Sequence, residues 1–178
     1  MTSVKFKLVI EAEGVEVFSE ELGSECVSGL TGRLQDIADN KDLFGYLAKC
    51  PSSEVRNDIA YKDNLNEETV ELLSKDTSIE VRRTLCGQTP FREWATTELL
   101  LEYIGADIEC AKTIAGSLGD YSNVDANKVA IALCKHSDPD VRNALAGSWG
   151  APKRFVKQLL SDPDASVRAS AKRTLGHL

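Results

Sequence analysis

A short motif that recurs along the chain constrains its fold more than any other feature. A Val-Arg pair occurs in EVRNDIAY, EVRRTLCG, DVRNALAG and SVRASAKR, and ECAKTIAG is a degenerate copy with Cys110 and Ala111 in its place. The first residues of successive pairs lie 26, 29, 31 and 26 residues apart. A repeat of this length predicts stacked supersecondary units, each of which buries its apolar face against its neighbours.

Two apolar stripes fill each repeat. In the segment with the Val-Arg pair, a large apolar residue follows four positions after the Val, which places both on one helical face. These residues are Val55 and Ile59, Val81 and Leu85, and Val141 and Leu145. A second stripe begins eleven residues before the Val, with Phe44 and Leu47, Val70 and Leu73, and Val156, Leu159 and Leu160. The spacing predicts two helices per repeat, with Val81, Leu85, Val141 and Leu145 in the core.

Residues typical of helix ends flank these stripes. Asp138 and Asp162 are predicted to cap the helices that follow, with Pro139 and Pro163 as the first helical residues. Glycines stand just after three of the motif segments, where we expect a left-handed residue to end the helix. These glycines are Gly87, Gly116 and Gly147. The two Gly-Ser-x-Gly stretches in AGSLG and AGSWG are therefore interpreted as helix exits.

The first 23 residues follow a different pattern. Alternate positions are apolar on both sides of Gly14, which is typical of a β-hairpin. They include Val4, Phe6, Leu8, Ile10, Val15 and Val17. The hairpin would either cap the apolar face of the end repeat or offer an edge for pairing or regulation.

A helix is predicted next, over residues 24–38, from the spacing of Val27, Leu30, Leu34 and Ile37. We therefore expect one structural domain, with a hairpin cap at residues 1–23 and helical repeats over residues 24–178.

The repeat motif is similar to that of known solenoid proteins. DPDASVRASA resembles the short HEAT-like repeats of phycobilisome lyases and many bacterial scaffolds, and VRNALAGSWGAPKRFVKQLLSD resembles a unit of the leucine-rich-repeat-variant proteins. The resemblance covers residues 41–178. It implies a mainly α fold, a right-handed α-solenoid of four to five helix pairs with the N-terminal β-hairpin as its cap. Some leucine-rich-repeat-variant proteins hold an iron–sulfur cluster, but this chain has no cysteine cluster at its N-terminus.

Charge is distributed unevenly along the chain. The net charge is −7, yet residues 151–178 hold six Lys and Arg against two Asp, a local net charge of +4. An acidic chain repels a phosphate backbone, so nucleic acid is not the expected partner. The basic end instead favours a protein partner with an acidic patch, for which the nearby Trp149 would be an aromatic anchor.

The predicted partner-binding residues are Trp149, Lys153, Arg154, Lys157, Arg168 and Arg173. A solvated helix face is the alternative interpretation of these cations. The acidic N-terminal half of a second copy is another candidate partner, which would give a homodimer through an end of the solenoid.

Four arginines recur at one position of the repeat: Arg56, Arg82, Arg142 and Arg168. They could form a stripe that binds an acidic ligand. We favour a structural role, in which each guanidinium binds a capping Asp or the loop carbonyls of a neighbouring repeat.

No group of side chains in the sequence has the spacing of a catalytic or metal site. His136 and His177 stand apart, and His136 is expected to be solvated. The five cysteines form no C-x-x-C pair, which favours free thiols in a reducing compartment. We therefore predict a non-enzymatic interaction module or scaffold without metal or cofactor. The alternative is a HEAT-like lyase or nucleic-acid-acting enzyme with a site on the concave face.

The sequence also predicts a cytoplasmic protein. No apolar run approaches the ~18 residues of a membrane-spanning helix. Acidic residues interrupt the N-terminal apolar stretch where a signal peptide needs an unbroken one.

Overall fold

A computed structural model describes residues 4–23 and 26–176. In this part of the chain, two β-strands precede twelve α-helices. The predicted mainly α repeat fold with an N-terminal hairpin is confirmed. The chain divides into two compact units, Met1–Pro90 and Phe91–Leu178.

The hairpin consists of β1 (Phe6–Ala12) and β2 (Val15–Leu22), which pair antiparallel. Glu13 and Gly14 form the two-residue turn, and both have positive φ, at 51° and 79°. Such turns match the twist of the flanking strands, and Gly at the second position accepts this backbone without strain.

The helices follow the repeat. The first unit contains α1 (Ser28–Thr31), α2 (Lys41–Leu47), α3 (Ser53–Ala60), α4 (Glu67–Ser74) and α5 (Ile79–Cys86). Next comes α6 (Thr89–Trp94). The second unit contains α7 (Thr97–Ala106), α8 (Ile108–Gly116), α9 (Ala126–Cys134), α10 (Pro139–Gly147), α11 (Lys153–Gln158) and α12 (Ala165–Gly176). The motif helices pack on each other within each unit: α3 on α5 in the first, and α8, α10 and α12 in succession in the second.

The repeated apolar residues build the core, as predicted. Val81 and Leu85 of α5 and Val141 and Leu145 of α10 are fully buried. The small residue that follows each pair is buried as well, because it lies where neighbouring helices approach. These small residues are Ala60, Cys86, Ala115 and Ala146. In the second stripe Leu160 is exposed, because the chain leaves α11 at Gln158 and continues as a 3-10 turn.

The capping prediction is correct for α10 and wrong for α12. The side chain of Asp138 accepts a hydrogen bond from the N–H of Asp140, and Pro139 opens α10. Before α12 the capping residue is Asp164, which accepts from the N–H groups of Ser166 and Val167. The Val-Arg pair lies two residues further from Asp-Pro-Asp in this copy. Asp162 is thereby displaced from the helix start.

The predicted left-handed glycines are not left-handed. Among the described residues Gly14 is the glycine with positive φ. Gly116 and Gly147 are the last residues of α8 and α10, and Gly87 ends α5 with φ of −82°. Helices α5, α8 and α10 therefore end without a left-handed residue, so their backbone conformation does not require glycine there.

The prediction of a helix over residues 24–38 is also wrong. In the described part, helix α1 ends at Thr31, and Leu30 and Ile37 are exposed. The buried Lys62 donates from Nζ to the carbonyl oxygens of Gly32 and Leu34, at 2.8 and 2.9 Å. A longer helix would occupy both carbonyls internally, so this contact with the end of α3 holds the segment in another conformation.

Candidate interaction surface

Two arginines of the repeat each bind an aspartate 20 residues further along the chain. In the first unit, Arg56 donates from Nε and Nη2 to the carboxylate of Asp76, at 2.6 and 2.9 Å. In the second unit, Arg142 binds Asp162 with the same two atoms, at 2.8 and 3.0 Å. We call these two bidentate pairs the arginine clamps. Each clamp links one motif helix to the loop that precedes the next.

The same guanidinium groups also bind their own loops. Nη1 of Arg142 donates to the carbonyl oxygens of His136 and Ser137, and Nη1 of Arg56 donates to those of Cys50 and Pro51. Each group therefore satisfies loop carbonyls and a carboxylate together, which suits the planar fork of an arginine.

Arg82 and Arg168 bind loop carbonyls in the equivalent way. Arg82 donates to the carbonyl oxygen of Asp76, and Arg168 donates to those of Asp162 and Pro163. All four arginines of the repeat thus direct hydrogen bonds into the protein.

The electrostatics of the clamps follow from this geometry. For Asp162, the hydrogen bonds from Arg142 hold the pKa below its ordinary value against the opposing effect of burial. For Asp76, burial raises the pKa, but the Arg56 guanidinium and the backbone N–H of Ser78 outweigh it and lower the pKa overall. Both aspartates are therefore ionised when folded at neutral pH.

His136 takes the position of the clamp aspartate in the repeat that precedes α10, six residues before Arg142. It is half-buried, and its Nδ1 accepts a hydrogen bond from the N–H of Asp138 at 3.1 Å. Asp76 and Asp162 accept equivalent bonds from Ser78 and Asp164. The expectation of a solvated side chain is wrong, because this ring closes the loop before α10. His177 lies outside the described residues.

The cations at the start of the basic segment have a different environment. Lys153, Arg154 and Lys157 lie on α11, and all three are exposed. They form no ion pair with any residue in the described ranges. Cζ of Arg154 lies over the ring of Phe155, 4.7 Å from its centroid, in cation–π geometry.

Trp149 stands in the turn that leads into α11. Its side chain is 64% exposed, while the flanking Ser148 and Ala151 are buried. The buried neighbours fix the backbone of the turn and present the indole at the surface. We call Trp149, Lys153, Arg154 and Lys157 the α11 surface.

Two more predicted partner-binding residues lie on α12. Arg173 is exposed, with Nη2 3.4 Å from the Oγ of Ser170. Arg168 uses Nη1 for the loop carbonyls before α12. The structure thus places four of the six residues on α11 and its entry turn, and two on the next helix.

The five cysteines differ in exposure: Cys26 is exposed, Cys134 is partly buried, and the other three, Cys50, Cys86 and Cys110, are buried in the core. Burial, reinforced by the charge of Asp162, raises the pKa of Cys134 to about 11, so this thiol is protonated at neutral pH. Within residues 4–23 and 26–176, no three His, Cys, Asp or Glu side chains are grouped so as to hold a metal.

A polar depression in the first unit brings together Asp42, Tyr46, Lys49 and Glu68. All four of these side chains are exposed. Acid–base and electrostatic catalysis depend on excluding water from the reacting groups, and this depression is open to water. Its openness to water therefore does not favour an active site.

No helix in the described ranges is both long enough and apolar enough to span a membrane.

A solved structure of a leucine-rich repeat variant with a novel repetitive structural motif is similar to this chain in fold. The TM-score is 0.55 at 20% sequence identity, and the match covers 85% of this chain. The chain spans 58% of the length of that protein. The predicted likeness to leucine-rich-variant repeats is therefore confirmed at the level of the fold. No protein-family model and no curated protein matches the chain.

Proposed function

We propose that this protein is a non-enzymatic interaction module that binds an acidic patch of a partner protein through the α11 surface. The observation that carries the proposal is an exposed tryptophan four residues before the start of a helix with three exposed cations. The arginines of the repeat are engaged in internal hydrogen bonds, whereas the three cations of α11 are exposed and form no ion pair with the described residues. Arg173 on α12 would extend the same surface.

The chemistry of these residues fits a protein interface. Trp and Arg are enriched among the residues that contribute most to binding, because each contacts a large area at a small entropic cost. An indole alone would bind many apolar surfaces, whereas the cations beside it select for negative charge. Neither requires a cofactor.

Charge argues for a protein rather than a nucleic acid as the partner. The chain is −7 overall, and the positive segment is local. A nucleic acid would meet repulsion over most of the surface, while a compact acidic patch would meet only the α11 surface. Attraction of this kind is screened by salt, so binding should weaken as ionic strength rises.

A charge-reversal experiment tests the proposal. The variant Lys153→Glu/Arg154→Glu/Lys157→Glu should lose the partners that the wild type retains in affinity purification from native cell extract, quantified by mass spectrometry. All three side chains are exposed, so the variant should keep the helical circular dichroism spectrum and melting temperature of the wild type.

A matched control carries the same change in net charge elsewhere. Lys49, Lys75 and Lys135 are exposed on other parts of the protein, and their triple reversal to Glu should leave the partners bound. Trp149→Ala should weaken binding without changing its dependence on salt. The proposal is wrong if the α11 variant retains every partner, or if both triple variants lose the same ones.

A further inference from the structure

The hairpin exposes apolar side chains on both of its faces. Every residue from Lys7 to Glu21 is exposed, although the segment contains a phenylalanine and several aliphatic residues. Val15 and Val17 are 64% and 60% exposed, and Leu8, Val9, Ile10 and Phe18 each exceed 40%. A two-stranded hairpin without a covered face is only marginally stable in water. The exposed apolar residues of this hairpin are therefore typical of a sheet to which a further strand adds.

The open edge of β2 is protected against pairing. Ile10 is opposite Phe18 and Glu11 is opposite Glu16, so Val17 is an extra residue that forms a β-bulge. The strand also carries three glutamates and no basic residue. A bulge and a run of like charges are two features by which proteins prevent strands from adding to an edge.

The edge of β1 is not protected in this way. Its seven residues, FKLVIEA, pair with β2 without an extra residue on the β1 side. The strand has one positive and one negative side chain, Lys7 and Glu11, placed symmetrically about Val9.

This symmetry makes β1 complementary to itself. In an antiparallel pair of two β1 strands centred on Val9, Lys7 of each copy lies opposite Glu11 of the other. Leu8 then lies opposite Ile10, and Phe6 opposite Ala12. Opposite charges and apolar pairs directly across from each other are the arrangements that stabilise a sheet.

A second copy would also relieve an unfavourable contact within the hairpin. Glu11 and Glu16 are opposite each other across β1 and β2, and like charges in that position are destabilising. Lys7 lies 3.6 Å from Glu16 within one chain. The Lys7 of a second copy would bring a further positive charge to Glu11.

We propose that two copies of this chain associate by antiparallel pairing of their β1 strands, forming a four-stranded sheet centred on Val9. Leu8, which Ile10 of the second copy would face, lines an apolar cleft of about 260 Å³ between the hairpin and the α1 and α2 region. The proposal involves a surface different from the α11 surface and does not rest on it.

Other pairings are less favourable for stated reasons. Two β2 strands would bring glutamates against glutamates. Two parallel β1 strands in register would stack Lys7 on Lys7 and Glu11 on Glu11. A β1 edge against a β2 edge would leave both outer edges free and build open-ended chains rather than a dimer.

Charge exchange tests the register. Sedimentation velocity over a concentration series should show a monomer–dimer equilibrium for the full chain. Lys7→Glu and Glu11→Lys should each weaken dimerisation about tenfold or more, because the two-fold axis applies each cross-strand repulsion twice. The double variant Lys7→Glu/Glu11→Lys should restore it.

The two single variants supply a sharper test when mixed. Each repels itself, but the carboxylate introduced by Lys7→Glu in one chain would face the ammonium group introduced by Glu11→Lys in the other. An equimolar mixture should therefore form a heterodimer. Restoration in the mixture also shows that neither variant has simply lost its hairpin. Glu20→Lys on β2 is the control and should leave dimerisation unchanged.

Three results would overturn the proposal. One is a monomer at all concentrations, as expected if a strand of a different protein or no strand adds to β1. Another is a dimer that the single variants do not weaken. The third is concentration-dependent growth into polymers larger than a dimer. Loss of partners in the α11 reversal has no bearing on any of these outcomes, so failure of either proposal is recognisable by itself.

Discussion

At the scale of single residues, the hydrogen bonds of the motif arginine explain why a Val-Arg pair recurs in the repeat. Its backbone lies next to a core valine, while its guanidinium reaches back to the loop before its own helix. In two repeats the guanidinium also reaches forward to an aspartate. The side chains of Asp76 and Asp162 are each only 5% exposed, so their charge depends on the arginine that faces it.

Removal of one clamp arginine should be costly. In Arg142→Ala the Asp162 carboxylate would remain buried without its bidentate partner, and we expect the free energy of unfolding to fall by about 3 kcal/mol. Urea unfolding followed by circular dichroism measures this. Lys157→Ala, at an exposed cation of α11, is the control and should change stability by less than about 0.5 kcal/mol. Equal effects of the two variants would show that the clamp contributes nothing.

At the scale of elements, the two Gly-Ser-x-Gly stretches have a role beyond ending α8 and α10. A Cβ built on Gly150 would lie 2.5 Å from the Cα of Gly119, and the reverse construction on Gly119 gives the same distance to Gly150. The second glycine of each stretch thus allows the two loops to meet backbone to backbone. Neither has positive φ, so contact rather than conformation requires them.

Paired alanine substitutions distinguish a glycine needed for close backbone contact from a glycine that only stands at a helix end. Gly150→Ala should lower the melting temperature, because its methyl group overlaps the backbone of Gly119 at a cost of about 1–3 kcal/mol. Gly147→Ala is the matched control, since a Cβ there meets nothing within 4 Å at the end of α10. It should be neutral or slightly stabilising, because alanine favours helix. A Gly150→Ala protein as stable as the Gly147→Ala protein would contradict the close approach.

At the scale of the whole molecule, each of the two compact units contains one clamp, Arg56–Asp76 in the first and Arg142–Asp162 in the second. Both aspartates have a lowered pKa in the folded state. The stability that this contributes is fully present above the unfolded pKa of about 3.9. It is lost as the pH falls through the folded values, because the unfolded state then binds more protons.

Acid should therefore destabilise both units. We expect the free energy of unfolding to decrease as the pH falls below about 4. The variant Asp76→Asn/Asp162→Asn should be less stable at pH 7 and lose less stability on acidification than the wild type. Urea unfolding at neutral pH and at several lower pH values measures the free energy of unfolding of both proteins. If this free energy fell with pH to the same extent in both, the clamps would not be the cause of the acid sensitivity.

Prediction from sequence succeeded where the information is local. The four-residue spacing of Val141 and Leu145 places both on one helical face wherever the helix packs, and both are buried. The turn at Glu13 and Gly14 lies within the predicted hairpin for the same reason. Local charge and the position of Trp149 after a helix exit predicted the α11 surface; its four side chains are exposed, and partner binding by them stays a prediction.

Prediction failed where a distant residue decided the outcome. Lys62 holds the carbonyls of Gly32 and Leu34 and so prevents the helix expected there. Asp162 resembles a cap, but two additional residues separate it from α12, and Arg142, 20 residues earlier in the chain, binds it instead. The sequence does contain a signal for the clamps. Asp76 and Asp162 each lie six residues before one motif arginine and 20 residues after the preceding one, so an alignment of these positions would have paired them.

The sequence by itself determined that the chain forms a hairpin and pairs of amphipathic helices, since alternation and the 3.6-residue period are properties of the local backbone. Only the tertiary structure decided which arginine meets which aspartate, that Gly119 touches Gly150, and that the hairpin remains uncovered. Those features depend on the offset between stacked elements, and that offset results from the packing of many side chains together rather than from any single segment.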